Sequence, residues 1–150
     1  MTEELPNTQE DKWDALQNLV LRLSRPARRV MLAALKNYIF SQENGRILSG
    51  TEDFHLCGSY AEEYGKLFDV EPQEAVRQIR QGCADVLDSL LVYAAPGKPE
   101  REVRGRIVSE CAFAGSGAGW MFSFHLAPTI ARTARPLAAA LSVEERNQQS

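Results

Sequence analysis

Four side chains capable of reading a nucleic acid recur at helical spacing. Gln73, Arg77, Arg80 and Gln81 stand at i, i+4, i+7 and i+8, so a helix through them presents all four on one side. An Arg fork fits guanine O6 and N7 or a phosphate, and Gln can pair with adenine N6 and N7. The same spacing describes a solvated amphipathic helix with Gln and Arg chosen for helix propensity. Spacing alone leaves both readings open. A second group, Arg22, Arg25, Arg28 and Arg29, is placed to grip phosphates beside that helix or to neutralise acidic residues 10–14. A third, Lys98, Arg101, Arg104 and Arg106, lies on a predicted hairpin, with Arg104 and Arg106 on one strand face. Its alternatives are backbone contact and a charged edge that blocks aggregation.

Other chemistries find little support. The glycine-rich Gly115-Ser116-Gly117-Ala118-Gly119 lacks the Lys-Ser/Thr of a phosphate loop and joins two predicted strands. His55 and His125 are the two imidazoles, both in alternating apolar segments that read as sheet-face or core positions. Glu52 and Asp53 form no carboxylate pair with a partner. No Ser-His-Asp arrangement emerges, and the expectation is a protein that is not an enzyme and carries no cofactor. Cys57, Cys83 and Cys111 are odd in number and widely spaced, which suits reduced, mostly buried thiols in a cytoplasmic protein. With no C-x-x-C pair, no metal site is expected.

The chain's 150 residues allow one core, or at most two very small ones, and 44% hydrophobic with 25% charged residues is globular composition. No apolar run is long enough for a membrane span, and the acidic start MTEELPNTQEDK is not a secretory signal. The net charge of −3 argues against a protein that coats nucleic acid indiscriminately. The charge is segregated, however. Residues 1–20 carry a net −4, residues 21–36 a net +5 and residues 98–106 a net +2. Thirteen of the 17 basic residues are Arg, so a local basic face is compatible with the anionic total.

Periodicity then gives the scaffold. After a flexible tail at 1–7, one helix runs from Thr8 to about Leu23 and a second, capped by Ser24, to about Phe40. Phe54–Cys57 reads as a short strand. Ser59 and Glu62 form a capping box that opens a helix to about Leu67. Pro72 starts a longer helix to Ser89, with Val76, Ile79, Cys83, Val86, Leu87 and Leu90 inward. Gly82 in its middle costs about 1 kcal/mol against Ala, which a closely crossing helix would explain. Leu90–Tyr93, residues 103–113 and Trp120–His125 read as strands, with Trp120, Phe122 and Phe124 on one face. A last helix from Ala127-Pro128 is kinked near Pro136. Residues 142–150 read as a polar tail, leaving 8–141 as one domain. A short helix, a tight link, a longer helix and a β-hairpin is the layout of a winged helix, an α+β fold.

The run FHLCGSYAEEYGKLFDVEPQEAVRQIRQG resembles the N-terminal winged-helix domain of iteron-binding plasmid replication initiators of the F-plasmid type. Phe54–Leu56, Tyr60-Ala61-Glu62, Leu67–Val70 and Ala75–Val86 match that pattern in order. LSRPARRVMLAALKNYI precedes it, and Gly115–Gly119, Trp120–Leu126 and Pro128–Leu141 follow, so about residues 20–141 are covered. The resemblance implies a non-catalytic protein that binds double-stranded DNA at plasmid origin repeats, forms homodimers and meets host replication proteins. Members carry a second winged helix, so the chain is expected to be the first alone, either excised or as a reduced relative. Arg132 and Arg135 stand where the family's last helix is more apolar. Arg77 and Arg80 would approach the duplex, with Arg28, Arg29 and Arg104 on phosphates. About four neutralised phosphates would give log K a slope near −3.6 against log salt. The alternatives are an interaction module that dimerises through the hairpin and the aromatic face of residues 120–124, and a winged-helix transcription regulator.

Overall fold

The computed structural model describes residues 8–43, 56–95 and 97–149. The strand assigned to Phe54 and His55 and the tail at 1–7 lie outside them. Helix α1 (Thr8–Leu21) buries Leu16 and Val20 and half-buries Trp13 and Leu19, the stripe its periodicity marks. Leu23 closes the same cluster. Ser24 then caps helix α2 (Arg25–Glu43), its Oγ accepting from the Ala27 N–H at 3.3 Å. Every residue of α2 from Arg29 to Leu35 is buried. A helix buried all round is central, and α2 is packed against by four elements of the chain, described next.

Strand β1 (Leu56–Tyr60) leads into α3 (Ala61–Phe68). Asp69 takes the left-handed conformation that ends α3. Three residues later Pro72 opens α4 (Pro72–Leu87). The expected capping box does not form. Ser59 stays in β1, its hydroxyl hydrogen-bonds Glu63 at 3.1 Å, and Tyr60 stands at the cap position. Strand pairing holds Ser59 extended, two residues ahead of the helix.

Strands β2 (Leu90–Ala95) and β3 (Lys98–Arg106) form a separate two-stranded hairpin. Strands β4 (Val108–Ala114) and β5 (Met121–Leu126) join β1 in an antiparallel sheet of order β1-β5-β4. The expected run 103–113 is therefore divided at Ile107, which is fully buried between the two sheets. Helix α5 (Pro128–Arg132) and helix α6 (Ala134–Gln149) complete the chain. The break falls at Thr133, and Pro136 sits in the first turn of α6, where its missing N–H costs nothing.

α2 packs against α4, α6, β1 and α3, and α1 packs against β2. At the α2–α4 crossing a Cβ on Gly82 would stand 2.5 Å from the Pro26 carbonyl oxygen, so the close approach that Gly82 implied is present. The polar tail expected at 142–150 is corrected for residues 142–149, which continue α6. Glu145 in that stretch is buried because Arg29 of α2 holds it.

The aromatic face expected at 120–124 divides as well. Phe122 and Phe124 are in the core, while Trp120 stacks on Phe113 with ring centroids 5.5 Å apart. Phe122 and Phe124 are therefore closed to a partner.

Candidate nucleic-acid interface

α3, the turn at residues 69–71 and α4 form a helix-turn-helix. β1 pairs with β5, the second strand of the hairpin that follows, so β4 and β5 with the turn at Gly115–Gly119 are the wing. The basic segment 98–106 is thus not on the wing. It lies on β3, in a hairpin inserted between α4 and the wing and seated on α1.

On α4 the exposed positions are Pro72, Gln73, Arg77, Arg80, Gln81 and Ala84, and those from Gln73 onward form one continuous stripe facing away from α2. All four helix residues picked out by spacing lie on it. Ala75, Ile79, Cys83 and Val86 bury the opposite side. The stripe is less basic than its composition suggests. Arg77 donates from Nε to Glu74 Oε2 at 2.8 Å and also pairs with Glu74 Oε1, so it is neutralised in the free protein. The Arg77 guanidinium, with help from Gln78, holds the Glu74 carboxyl down at about 2. Arg77 also donates to Gln81 Oε1 at 3.3 Å.

Arg80 behaves differently. Its guanidinium lies over the Phe113 ring at 4.9 Å and the Trp120 ring at 5.4 Å, both on the wing. Among the described residues no carboxylate pairs with it. This contact joins the helix to the wing and presents a cation at their seam. Sequence reasoning missed Phe113 and gave Trp120 only to an aromatic dimer face, because the cross-strand register that brings both to Arg80 is nonlocal.

Of the remaining candidates, Arg29 is corrected most clearly. It is buried, donating from Nε and Nη2 to Glu145 Oε1 at 2.9 Å each and from Nη1 to Gln78 Oε1 at 3.1 Å. Tyr64 donates to the same Gln78 oxygen at 2.8 Å, and the Phe68 ring lies 4.9 Å from the guanidinium. Arg29 therefore ties α2, α3, α4 and α6 together and offers nothing to solvent. Arg28 is turned inward, Nη1 donating to the Leu23 carbonyl at 2.6 Å just past α1. Arg22 donates to the Asn18 carbonyl at 3.0 Å. Arg106 donates to the carbonyl of Leu87, the last residue of α4. All three cations are spent on backbone carbonyls at or just past a helix end. Arg104 is exposed and pairs with Glu102 at 2.9 Å.

Among the described residues no cluster of three or more His, Cys, Asp or Glu side chains is arranged to hold a metal. None of their helices is long and apolar enough to cross a membrane. His125 lies on β5 with Nδ1 3.4 Å from Glu110 Oε2.

No protein-family profile matches the chain, and no curated protein matches it. Among solved structures it is similar to the WH1 domain of MSBI1.176, described as a replication protein isolated from a multiple sclerosis patient. The two share 19% identity at a TM-score of 0.70, over 89% of this chain and 97% of that one. That likeness, with the strand order and the helix-turn-helix, makes the chain a winged-helix domain.

Proposed function

We propose that the chain is a replication-protein winged-helix domain that binds double-stranded DNA through the exposed stripe of α4 and does not catalyse a reaction. The supporting observation is the set Gln73, Arg77, Arg80 and Gln81, exposed together on the second helix of a helix-turn-helix. Arg80 supplies the standing cation. Arg77 exchanges Glu74 for a phosphate, since a solvent-exposed pair is weak and screened. Gln73 and Gln81 flank them as base-edge or phosphate donors. Arg104 adds a backbone contact from β3, whereas Arg28 and Arg29 serve the fold. The target in this reading is a plasmid origin with repeated sites, met in the cytoplasm together with host replication proteins.

Fluorescence anisotropy tests it. A labelled duplex of tandem origin repeats is compared with a scrambled duplex of equal length. Wild-type protein binds both at low salt and prefers the repeats. Charge reversal at Arg77 plus Arg80 removes binding and leaves sedimentation unchanged. A folded protein that binds neither duplex at low salt refutes the reading. Equal binding of both duplexes favours a domain with another target, such as a transcription regulator.

A second reading coexists with the first. Leu90 and Val92 are 44% and 40% exposed on the outer face of β2, opposite Arg106 and Arg104 in register. Within the described residues neither edge of this hairpin is paired. Unpaired edges with exposed apolar residues suit a homodimer contact. Substituting Val92→Lys then lowers the sedimenting mass of the protein without altering its fold. An unchanged monomer before and after the substitution refutes it.

A further inference from the structure

Cysteines from three elements converge on the middle of the sheet. Cys57 of β1 and Cys111 of β4 both stand opposite Phe124 of β5, one from each side. Cys83 approaches from α4. The Cys111 Sγ donates to the Cys83 carbonyl oxygen at 3.8 Å, which puts the two cysteines in direct contact. Their exposures differ. Cys57 and Cys83 are buried, whereas Cys111 is half-buried.

We propose that Cys83 and Cys111 form a reversible intramolecular disulfide when the protein meets a hydroperoxide, with Cys111 reacting first and Cys83 resolving. The Cys111 thiolate attacks one peroxide oxygen, the O–O bond breaks and an alcohol or water leaves. Cys111 becomes a sulfenic acid. The Cys83 sulfur then attacks the sulfenic sulfur, the S–S bond forms, and the hydroxyl leaves with the Cys83 proton as water. Two electrons pass from two thiols to one hydroperoxide.

The asymmetry of the pair fits these roles. Interaction with the Cys83 side chain holds the Cys111 thiol below its usual value, and interaction with Cys111 together with burial pushes the Cys83 thiol up. The more readily ionised sulfur is the one that solvent reaches. Burial pushes the Cys57 thiol up, and Cys57 takes no part.

The crosslink ties α4 to β4 across a sequence separation of 28 residues and encloses the β2–β3 hairpin. It lies one helical turn from Arg80, whose guanidinium covers Phe113 on the same strand as Cys111. Oxidation therefore fixes the helix against the wing and restricts the unfolded chain. The inference is independent of what the helix binds.

The test treats the whole reduced protein with hydrogen peroxide, blocks free thiols with N-ethylmaleimide and maps peptides without reduction. The expected product is a monomer about 2 Da lighter before alkylation, crosslinked between Cys83 and Cys111, with a higher melting temperature. Dithiothreitol restores the starting mass and melting point. In Cys83→Ala, dimedone traps a sulfenic acid on Cys111, and Cys111→Ala yields no crosslink. Wild-type protein that gives sulfinic acid at Cys111 without a crosslink, a bond to Cys57, or covalent dimers overturns the proposal. The wild-type map decides by itself, so the folding of the variants does not limit the test.

Discussion

Removing Glu145 leaves a buried guanidinium without its anion. Arg29 and Glu145 side chains are each 8% exposed, and both Arg29–Glu145 contacts are 2.9 Å long. After Glu145→Ala, Arg29 keeps Gln78 at 3.1 Å and the Phe68 ring at 4.9 Å, but no described carboxylate faces it. Arg25, 3.4 Å from the same oxygen and 42% exposed, changes from a shared partner into a neighbouring like charge. Breaking one side of a buried pair costs about 3–5 kcal/mol. For a chain of this size that lowers the melting temperature by about 6–20 °C. Glu145→Gln keeps an acceptor without the charge and costs about 1–3 kcal/mol. Replacing both partners, Arg29→Met with Glu145→Leu, returns stability to within about 1–4 kcal/mol of wild type on the stabilising or neutral side. Urea denaturation with an unchanged slope is the assay. A Glu145→Ala protein within about 1 kcal/mol of wild type, the worth of an exposed pair, refutes the reasoning.

Two further outcomes follow from other contacts. Gly82→Ala brings a Cβ 2.5 Å from the rigid Pro26 carbonyl, so overpacking of about 1–3 kcal/mol outweighs the gain of about 1 kcal/mol in helix propensity. Thermal melting checks it, and a more stable variant contradicts the close crossing of α2 and α4. The Glu74 carboxyl titrates at about 2 because Arg77 hydrogen-bonds its charged form. Its folded value is depressed, so its contribution to stability is present above the usual carboxylate range and is lost as pH falls toward 2. Carboxyl-carbon NMR follows the titration, and Arg77→Gln moves Glu74 back toward the usual range. An unmoved midpoint contradicts the pairing.

The parts legible in the sequence are those fixed by local periodicity. The stripe on α4 was readable because burial of Ala75, Ile79, Cys83 and Val86 leaves one side to Gln73, Arg77, Arg80 and Gln81. Gly82 was readable because glycine inside a helix needs a reason. Arg29 was not, since its anion is 116 residues away on a segment whose composition suggests a tail. No local signal separates the hairpin that carries Arg104 from the wing, because strand order depends on pairing between β1 and β5. The aromatic seat of Arg80 was hidden for the same reason, since Phe113 and Trp120 meet only through the turn between β4 and β5.

These contacts also reduce the cations offered to a duplex. Four neutralised phosphates were expected from the sequence, but Arg29 is buried, Arg28 is turned onto a backbone carbonyl and two guanidinium groups remain on α4. The most direct test of the central claim is the salt dependence of duplex affinity, measured by anisotropy from low to moderate salt. With Arg77, Arg80 and Arg104 each neutralising one phosphate, log K falls against log salt with a slope of about −2.7, and Arg77→Gln with Arg80→Gln brings the slope to about −0.9. An unchanged slope and affinity in that double variant contradicts the account.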